Sequence, residues 1–228
     1  MKLEKVTKGE NRAAMRWYDD ACGTALAMEL VGERWSLLIV RELMFGPRRF
    51  GELRASLNGI SANVLTQRLE GLEDAGILFR RKLPPPANVQ VYELTPWGYE
   101  SETAIQELGR WAVRSPEHDP TLPLSAASLM MSARTMYAGG MDATVGFRMG
   151  VETFVATLTP HAIGIRRGDP IGADVTFEAD QHAIAAVIYG GRPLAETEAD
   201  GSIRLIGDHA VAEDYITRFP LPAKLGAE

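Results

Sequence analysis

The stretch RRFGELRASLNGISANVLTQRLEGLEDAGILFRRK, residues 48–82, decides the fold of the N-terminal half of the chain. It opens with a short helical pattern over 48–57, and the Asn58-Gly59 dipeptide that follows favours a tight turn. A second helix is predicted over 61–75, because the serine at its first position is a preferred helix cap. Gly76 ends that helix in the left-handed conformation that glycine tolerates.

Two short strands are predicted directly after these helices, over 77–82 and 89–95. The run Pro84-Pro85-Pro86 lies between them and favours an extended tip. A helix–turn–helix followed by a two-stranded ribbon is the arrangement of a winged helix, whose second helix enters the major groove of DNA. The sequence therefore predicts a winged-helix domain, which we place in residues 1–115.

Further helices are predicted on both sides of this motif. The patterns that indicate them are a short lead-in over 12–20 and apolar repeats at helical spacing over 21–32, 35–44 and 96–113.

The predicted helix 61–75 has an apolar side and a polar side. Three leucines at helical spacing form the apolar side, and Asn63, Thr66 and Gln67 lie opposite them. These short polar groups suit base edges: Asn and Gln pair with adenine, and Thr offers both a methyl and a hydroxyl group. Arg68 lies on the flank, where we expect a phosphate contact, and Ser61 adds another at the helix N-terminus.

Basic side chains at the ends of the motif are candidates for contacts with the DNA backbone. Arg80, Arg81 and Lys82 end the first wing strand, where three adjacent charges fit phosphate or the minor groove. Arg48 and Arg49 are predicted to open the first helix, where cations oppose the helix dipole, so an anionic partner would explain them. The alternative for each residue taken singly is that it solvates the surface.

The whole chain carries a net charge of −6, but its charges are unevenly distributed. Residues 1–115 have a net charge of +1 and residues 116–228 one of −7, whereas the window 34–82 has +4. Phosphate contact depends on this local basic surface rather than on the total charge. The change of sign also suggests two domains with different tasks.

The stretch from Cys22 to Gly98 resembles the HxlR-type winged-helix regulators, a MarR-like group. The motifs that carry the resemblance are Gly32-Glu33-Arg34-Trp35, Gly46-Pro47-Arg48-Arg49-Phe50-Gly51-Glu52-Leu53, Ile60-Ser61, Leu65-Thr66-Gln67-Arg68-Leu69 and Leu94-Thr95. The resemblance covers about residues 20–113. It implies a homodimer, built from the outer N-terminal helix and the helix after the wing, on a pseudo-palindromic operator in double-stranded DNA. It also implies repression or activation of nearby genes.

In that family the cysteine that matches Cys22 is sometimes a sensor of oxidants or electrophiles. Asp19 and Asp20 precede it, and their negative charge disfavours a thiolate, whereas a position near a helix start favours one. The alternative is a small buried apolar residue at the dimer interface.

The chain changes character after 116–123, a proline-rich segment predicted to be a linker. Residues 124–228 then resemble a sterol-carrier-protein-like domain through Ile165-Arg166-Arg167-Gly168, Ala173-Asp174-Val175-Thr176-Phe177, Tyr189-Gly190-Gly191-Arg192-Pro193-Leu194 and Ile203-Arg204-Leu205-Ile206-Gly207-Asp208. The predicted strands and helices lie over 124–138, 143–149, 152–158, 161–167, 173–178, 180–189, 202–206 and 208–218. The predicted fold class is therefore α+β: a winged helix-turn-helix domain plus a C-terminal α/β sandwich-like domain, with a curved antiparallel sheet and covering helices.

This resemblance implies an apolar cavity, and we interpret it as an effector pocket for a small hydrophobic or aromatic ligand. The candidate pocket residues are Met130, Arg134, Tyr137, Phe147, Met149, Phe154, Phe177, Ile184, Ile188 and Tyr215. Arg134, Arg148, Tyr137 and Tyr215 are candidates for orienting a polar group of the ligand. The alternatives are an ordinary core and a purely structural, dimer-stabilising domain. If the pocket binds an effector, we expect the chain to be a repressor that leaves DNA when the effector binds.

Other classes of protein fit the sequence less well. There is one cysteine, no apolar run of the roughly 18 residues that cross a bilayer, and no signal peptide, so we expect a cytoplasmic protein without membrane contact. The four histidines have no metal-ligand spacing, and neither a nucleophile elbow nor a glycine-rich phosphate loop is present. We therefore expect no catalysis, cofactor or metal. A protein-interaction module would show exposed apolar anchors on the second helix of the motif.

Overall fold

The computed structural model describes residues 18–226. The predicted lead-in helix over 12–20 lies for the most part outside these residues. The helices are α1 (Gly23–Val31), α2 (Ser36–Leu43), α3 (Phe50–Ser56), α4 (Ala62–Asp74), α5 (Pro96–Glu100), α6 (Glu102–Ala112), α7 (Ala126–Met136), α8 (Gln181–Ile188), α9 (Leu194–Ala199) and α10 (His209–Ile216). The strands are β1 (Leu78–Lys82), β2 (Gln90–Leu94), β3 (Ala143–Met149), β4 (Glu152–Thr159), β5 (Ala162–Arg167), β6 (Val175–Ala179) and β7 (Ile203–Gly207).

The N-terminal half is a winged helix-turn-helix. Helices α2, α3 and α4 pack together, and β1 pairs antiparallel with β2 so that Leu78 faces Leu94 and Lys82 faces Gln90. Gly76 has a φ of +74°, so the predicted left-handed end of the second motif helix is confirmed. This backbone turn directs the chain from α4 straight into the wing.

The helix predicted over 96–113 is divided in the structure. Thr95 caps α5 by accepting a hydrogen bond from Gly98 N–H at 3.0 Å, and Pro96 occupies its first turn. The Ser101 hydroxyl then donates to the Gly98 carbonyl oxygen at 2.7 Å, and α6 begins one residue later. Such local side-chain hydrogen bonds compete with a continuous helix.

The C-terminal half contains a five-stranded sheet with the order β5-β4-β3-β6-β7. The predicted antiparallel sheet is corrected to a mixed sheet, because β3 and β6 are parallel while the other neighbours are antiparallel. The reason is the connection 168–174, which carries the chain past β4 and β3 before β6 begins. Its Pro170 packs against Gly146 of β3, where a Cβ atom would lie 2.3 Å from the proline ring. The short helix α9 was not predicted.

Helices cover one face of this sheet. Helix α7 contacts β5, α8 contacts β6, and α10 contacts β6 and β7. Phe147 lies directly opposite Phe154 on one side and Phe177 on the other, so the three buried side chains share a face of the sheet and point into this layer.

The two halves share one hydrophobic core. Helix α7 packs against both α2 and α6, while the predicted linker 116–123 contains no helix or strand. No helix within residues 18–226 is long and apolar enough to cross a membrane.

Candidate DNA-binding interface

Helix α4 has the two-sided character that its sequence predicts. Leu65, Leu69 and Leu72 are at most 1% exposed and anchor the helix in the core. Asn63 and Gln67 are exposed on the opposite side, as is Thr66. The packed leucines hold this polar face in a fixed orientation, which a recognition helix needs.

The first turn of α4 is held by side-chain hydrogen bonds. Ser61 Oγ accepts from Val64 N–H at 3.2 Å, so the predicted cap is confirmed. The Thr66 hydroxyl donates to the Ala62 carbonyl oxygen at 3.0 Å, which leaves its methyl group and oxygen lone pairs available.

Arg68 is engaged within the protein. Its Nε donates to the Arg34 carbonyl oxygen at 3.1 Å, and its Nη2 lies 2.8 Å from Glu33 Oε2. Arg68 thus ties α4 to the segment before α2. A phosphate at the predicted position would compete with Glu33 for this guanidinium group.

The basic residues of the wing are partly neutralised by neighbouring carboxylates. Arg80 lies 2.7 Å from Glu73 of α4, and this hydrogen bond raises the pKa of the guanidinium group. Arg81 pairs with Glu93 across the two wing strands. Lys82 is exposed at the end of β1. Exposed ion pairs are weak and exchange readily, so these side chains remain accessible to phosphate.

Arg48 and Arg49 differ in their surroundings. Arg49 is exposed, and its backbone N–H donates to Glu52 Oε2 at 2.8 Å at the start of α3. Arg48 does not start a helix: it is extended, only 8% exposed, and paired with Glu152 of β4. The assignment of Arg48 to DNA is therefore corrected to an ion pair between the two halves.

Cys22 lies at the N-terminus of α1 with its thiol exposed. Hydrogen bonds from the Thr24 backbone and side chain, with a further one from Ala25, lower the pKa of this thiol. The pKa of the thiol is lowered although Asp19 and Asp20 precede it, and Asp20 Oδ1 accepts from the Cys22 backbone N–H at 2.8 Å. The single chain leaves Cys22 exposed, so its burial at a dimer interface stays a prediction.

Most of the predicted pocket residues form a closely packed core. Met130, Met149, Ile184 and Ile188 are buried with the aromatic rings. The Phe147 ring centroid lies 5.7 Å from those of Phe177 and Tyr215, and Phe154 is fully buried. These distances are those of aromatic rings in contact, so a ligand among them would have to separate the rings.

Of the four polar pocket candidates, Tyr215 is fully buried among these rings, and the other three face elsewhere. Arg134 Nη1 lies 2.8 Å from Glu102 of α6, and the Tyr137 hydroxyl donates to the Thr159 carbonyl oxygen at 2.8 Å. Arg148 pairs with Asp169 at 2.7 Å. A shallow groove of about 330 Å³ does exist between α6, the end of α7 and residues 220–222. Of the predicted pocket residues, only Tyr137 lines it.

Sequence reasoning missed three charged residues at the junction between the halves: Glu42, Glu152 and Arg167. Glu42 Oε1 accepts a hydrogen bond from the Ser125 hydroxyl at 2.7 Å, although the two residues are 83 positions apart in sequence. Arg167 Nη1 approaches the Glu42 carbonyl oxygen at 3.5 Å across 125 residues. A polar residue inside an apolar repeat, as in the α2 sequence SLLIVREL, is the one local signal of such a contact.

Comparison with known proteins identifies the N-terminal half. The HxlR-like helix-turn-helix family matches residues 30–119. The HTH-type transcriptional regulator YodB of Bacillus subtilis (strain 168) is 38% identical over 86 residues, which are 38% of this chain and 77% of YodB. The uncharacterized HTH-type transcriptional regulator YtfH of Escherichia coli (strain K12) is 34% identical over 110 residues, 48% of this chain and 86% of YtfH.

A mycobacterial relative is also similar to this chain, but the similarity covers a smaller share of the relative's own length. The uncharacterized HTH-type transcriptional regulator Rv3095 of Mycobacterium tuberculosis (strain ATCC 25618 / H37Rv) is 44% identical over 85 residues. These are 37% of this chain, and the chain spans about half of that relative, 53%. The similarity to YodB covers most of that protein's length. It points to the same family as the motif residues and the winged helix do. The chain belongs to the HxlR-like helix-turn-helix family of DNA-binding transcriptional regulators.

Proposed function

We propose that this chain is a sequence-specific DNA-binding regulator with no enzymatic role, and that α4 reads the operator. The observation that carries the proposal is the exposed polar face of α4, formed by Asn63, Thr66 and Gln67 and backed by buried leucines. These groups are of the kind that hydrogen-bond base edges in the major groove. Arg49, Arg80 and the other accessible basic residues of the motif would contact phosphates.

We propose that the regulator acts as a homodimer on a pseudo-palindromic operator. Helix α1 buries none of its own residues in the single chain, and Leu26 and Met28 are exposed. On α6, Leu108 is exposed and Trp111 is 71% exposed. Family resemblance implies that these two helices form the dimer interface, and apolar side chains exposed on both fit that role.

Salt dependence tests DNA binding against a protein-interaction role. The purified chain is titrated onto fluorescent DNA from its own promoter region, with genomic fragments as alternatives, at 50–200 mM salt. Displacement of counterions makes the logarithm of the affinity fall linearly, by roughly three decades over this range if about six phosphates are contacted. Absence of preferential binding to any fragment would refute the proposal.

We further propose that the regulator is a repressor that a small hydrophobic or aromatic effector releases from DNA through the C-terminal half. Support comes from the resemblance to sterol-carrier proteins and from the helix-covered sheet. Because the aromatic rings are in contact, the effector must bind better to a rearranged state, and that difference in affinity would drive release. A thermal-shift screen of small apolar and aromatic compounds tests this: the effector raises Tm and weakens DNA binding. If no compound does so, the C-terminal half has a purely structural role.

A second candidate input is an electrophile or oxidant at Cys22. The observation that favours it is the exposed thiol with a lowered pKa on α1, a proposed dimer helix. Treatment with a quinone or diamide is expected to change DNA binding of the native chain but not of Cys22→Ser. Equal responses of both proteins would rule out Cys22.

A further inference from the structure

Five polar side chains are packed between the winged helix and the C-terminal sheet. This junction cluster consists of Glu42, Arg48, Ser125, Glu152 and Arg167. The first two belong to the N-terminal half and the other three to the C-terminal half. Glu42 is fully buried and Arg48 nearly so. Charges removed from water in this way are costly unless they are paired, so their positions are closely coupled.

Glu152 is the centre of the charged contacts. It starts β4, where Oε2 accepts from Arg167 Nε at 3.0 Å and Oε1 pairs with Arg48 Nη2. Burial raises the pKa of the Glu152 carboxyl, but the hydrogen bonds and charges of the two arginines outweigh burial and lower it. The carboxylate is therefore charged at neutral pH and attracts Arg48 into the junction.

Arg48 links this carboxylate to two elements that contact DNA in a winged helix. It lies two residues before α3. Its backbone N–H donates to the Tyr92 carbonyl oxygen at 2.9 Å, and Tyr92 N–H donates to the Arg48 carbonyl oxygen at 2.8 Å. One residue thus joins the start of α3, the second wing strand and, through its guanidinium group, the C-terminal sheet.

The cluster contains more polar atoms than its contacts satisfy. Among the described residues, Glu42 Oε2, Arg48 Nε and Arg167 Nη2 are buried without a hydrogen-bond partner. Such atoms lower stability, and a well-packed apolar junction would avoid them. A buried ionic cluster of this kind can specify one arrangement of the two halves without adding stability.

We propose that Glu152 is a positioning residue for DNA binding. Through Arg48, it fixes the wing and the start of α3 relative to the recognition helix α4. The C-terminal sheet thereby sets the geometry of the DNA-binding surface. This inference rests on the proposed function, and it adds a route by which a change in the sheet reaches the DNA.

The test compares Glu152→Gln with Glu178→Gln, a matched control. Glu178 belongs to the same sheet and pairs with Arg204 at 3.1 Å and Arg148 at 3.6 Å. All its ion-pair partners among residues 18–226 lie in the C-terminal half. Hydrogen exchange is measured for each amide of the full chain, and DNA affinity by fluorescence anisotropy. Glu152→Asp, which keeps the charge, provides a milder variant should Glu152→Gln fold poorly.

In Glu152→Gln we expect amide exchange to rise about tenfold at Arg48 and Tyr92 and to change little in α8 and α10. Operator affinity should fall about tenfold, whereas Glu178→Gln should stay within about twofold of the native protein. A purely structural role would instead raise exchange throughout the chain. Either that result or unchanged wing exchange with native affinity would overturn the proposal. If the native protein binds no DNA, the proposed function fails, and the exchange pattern still decides the role of Glu152.

Discussion

Phe45 connects the two halves at the end of α2, and its removal should destabilise the whole chain. Its ring is 7% exposed and meets Phe154 of β4 edge-on, with centroids 5.5 Å apart and planes at 86°. The Arg134 guanidinium carbon lies 4.4 Å from the Phe45 ring centroid. The perturbation is Phe45→Ala, which removes the ring from all of these interactions.

Three overlapping interactions that the alanine cannot make determine the expected magnitude. Truncation of a buried phenylalanine costs about 3–5 kcal/mol. The aromatic pair adds about 1 kcal/mol to simple burial. The desolvated cation–π interaction with Arg134 adds about 1–2 kcal/mol. Since these terms overlap, we expect the free energy of unfolding to fall by about 4 kcal/mol.

Urea unfolding provides the assay, because two probes separate the halves. All four tryptophans precede residue 115 and report on the N-terminal half through their fluorescence. Amide exchange in β3 and β4 reports on the C-terminal half. Phe79→Ala is the control: Phe79 is 37% exposed on β1, and its truncation should cost about 1 kcal/mol or less.

The continuous core predicts that both probes follow one transition in the native protein and in Phe45→Ala. A decrease below about 1 kcal/mol in Phe45→Ala would show that the ring contributes no more than an exposed phenylalanine. Two separate transitions in the native protein would show that the halves fold independently. Either result would show that Phe45 does not join the two halves into one cooperative unit.

Three further predictions concern caps, titration and the dimer. Ser61→Ala removes the cap of α4 and should lower the free energy of unfolding by about 1 kcal/mol in thermal melts, with a smaller decrease for Ser61→Gly. Hydrogen bonds from the Ser202 side chain and backbone, with Arg192, lower the pKa of Asp200 to about 2. The contribution of this depressed pKa to stability is present above the ordinary aspartate value and lost as pH falls toward 2. Carbon NMR titration should show that midpoint, and Ser202→Ala should raise it; a native midpoint near 3.8 would contradict the assignment. Trp111→Glu places a charge on the exposed face of α6 and should convert dimers to monomers in sedimentation experiments, whereas unchanged sedimentation would remove Trp111 from the interface.

Much of the fold follows from local sequence patterns. The cap Ser61, the turn glycines and the alternation along β3 and β4 act over a few residues, so they are visible in the sequence. The polar face of α4 is visible for the same reason. These features depend on helix and strand periods and on the backbone freedom of glycine.

The remaining features depend on partners that are distant in sequence. The parallel pairing of β3 with β6 arises from the path of the chain over the sheet, which strand patterns do not encode. Arg48 was predicted to bind phosphate because the sequence does not reveal its partner, Glu152, which lies in the other half. The aromatic pocket candidates show the same difficulty, since an apolar stripe indicates burial without distinguishing a core from a cavity.

We propose that α4 reads DNA sequence through Asn63 and Gln67. The most direct test measures affinity for the operator and for unrelated DNA in the native protein and in Asn63→Ala, Gln67→Ala. Thr157→Ala, an exposed change on the C-terminal sheet, is the control. Removal of each base-specific hydrogen-bonding group should cost about 1–3 kcal/mol on the operator and little on unrelated DNA, with the free energy of unfolding unchanged. We expect operator affinity to fall about thirtyfold or more in the double variant and to stay unchanged in the control. Native operator affinity in the double variant would contradict the proposal.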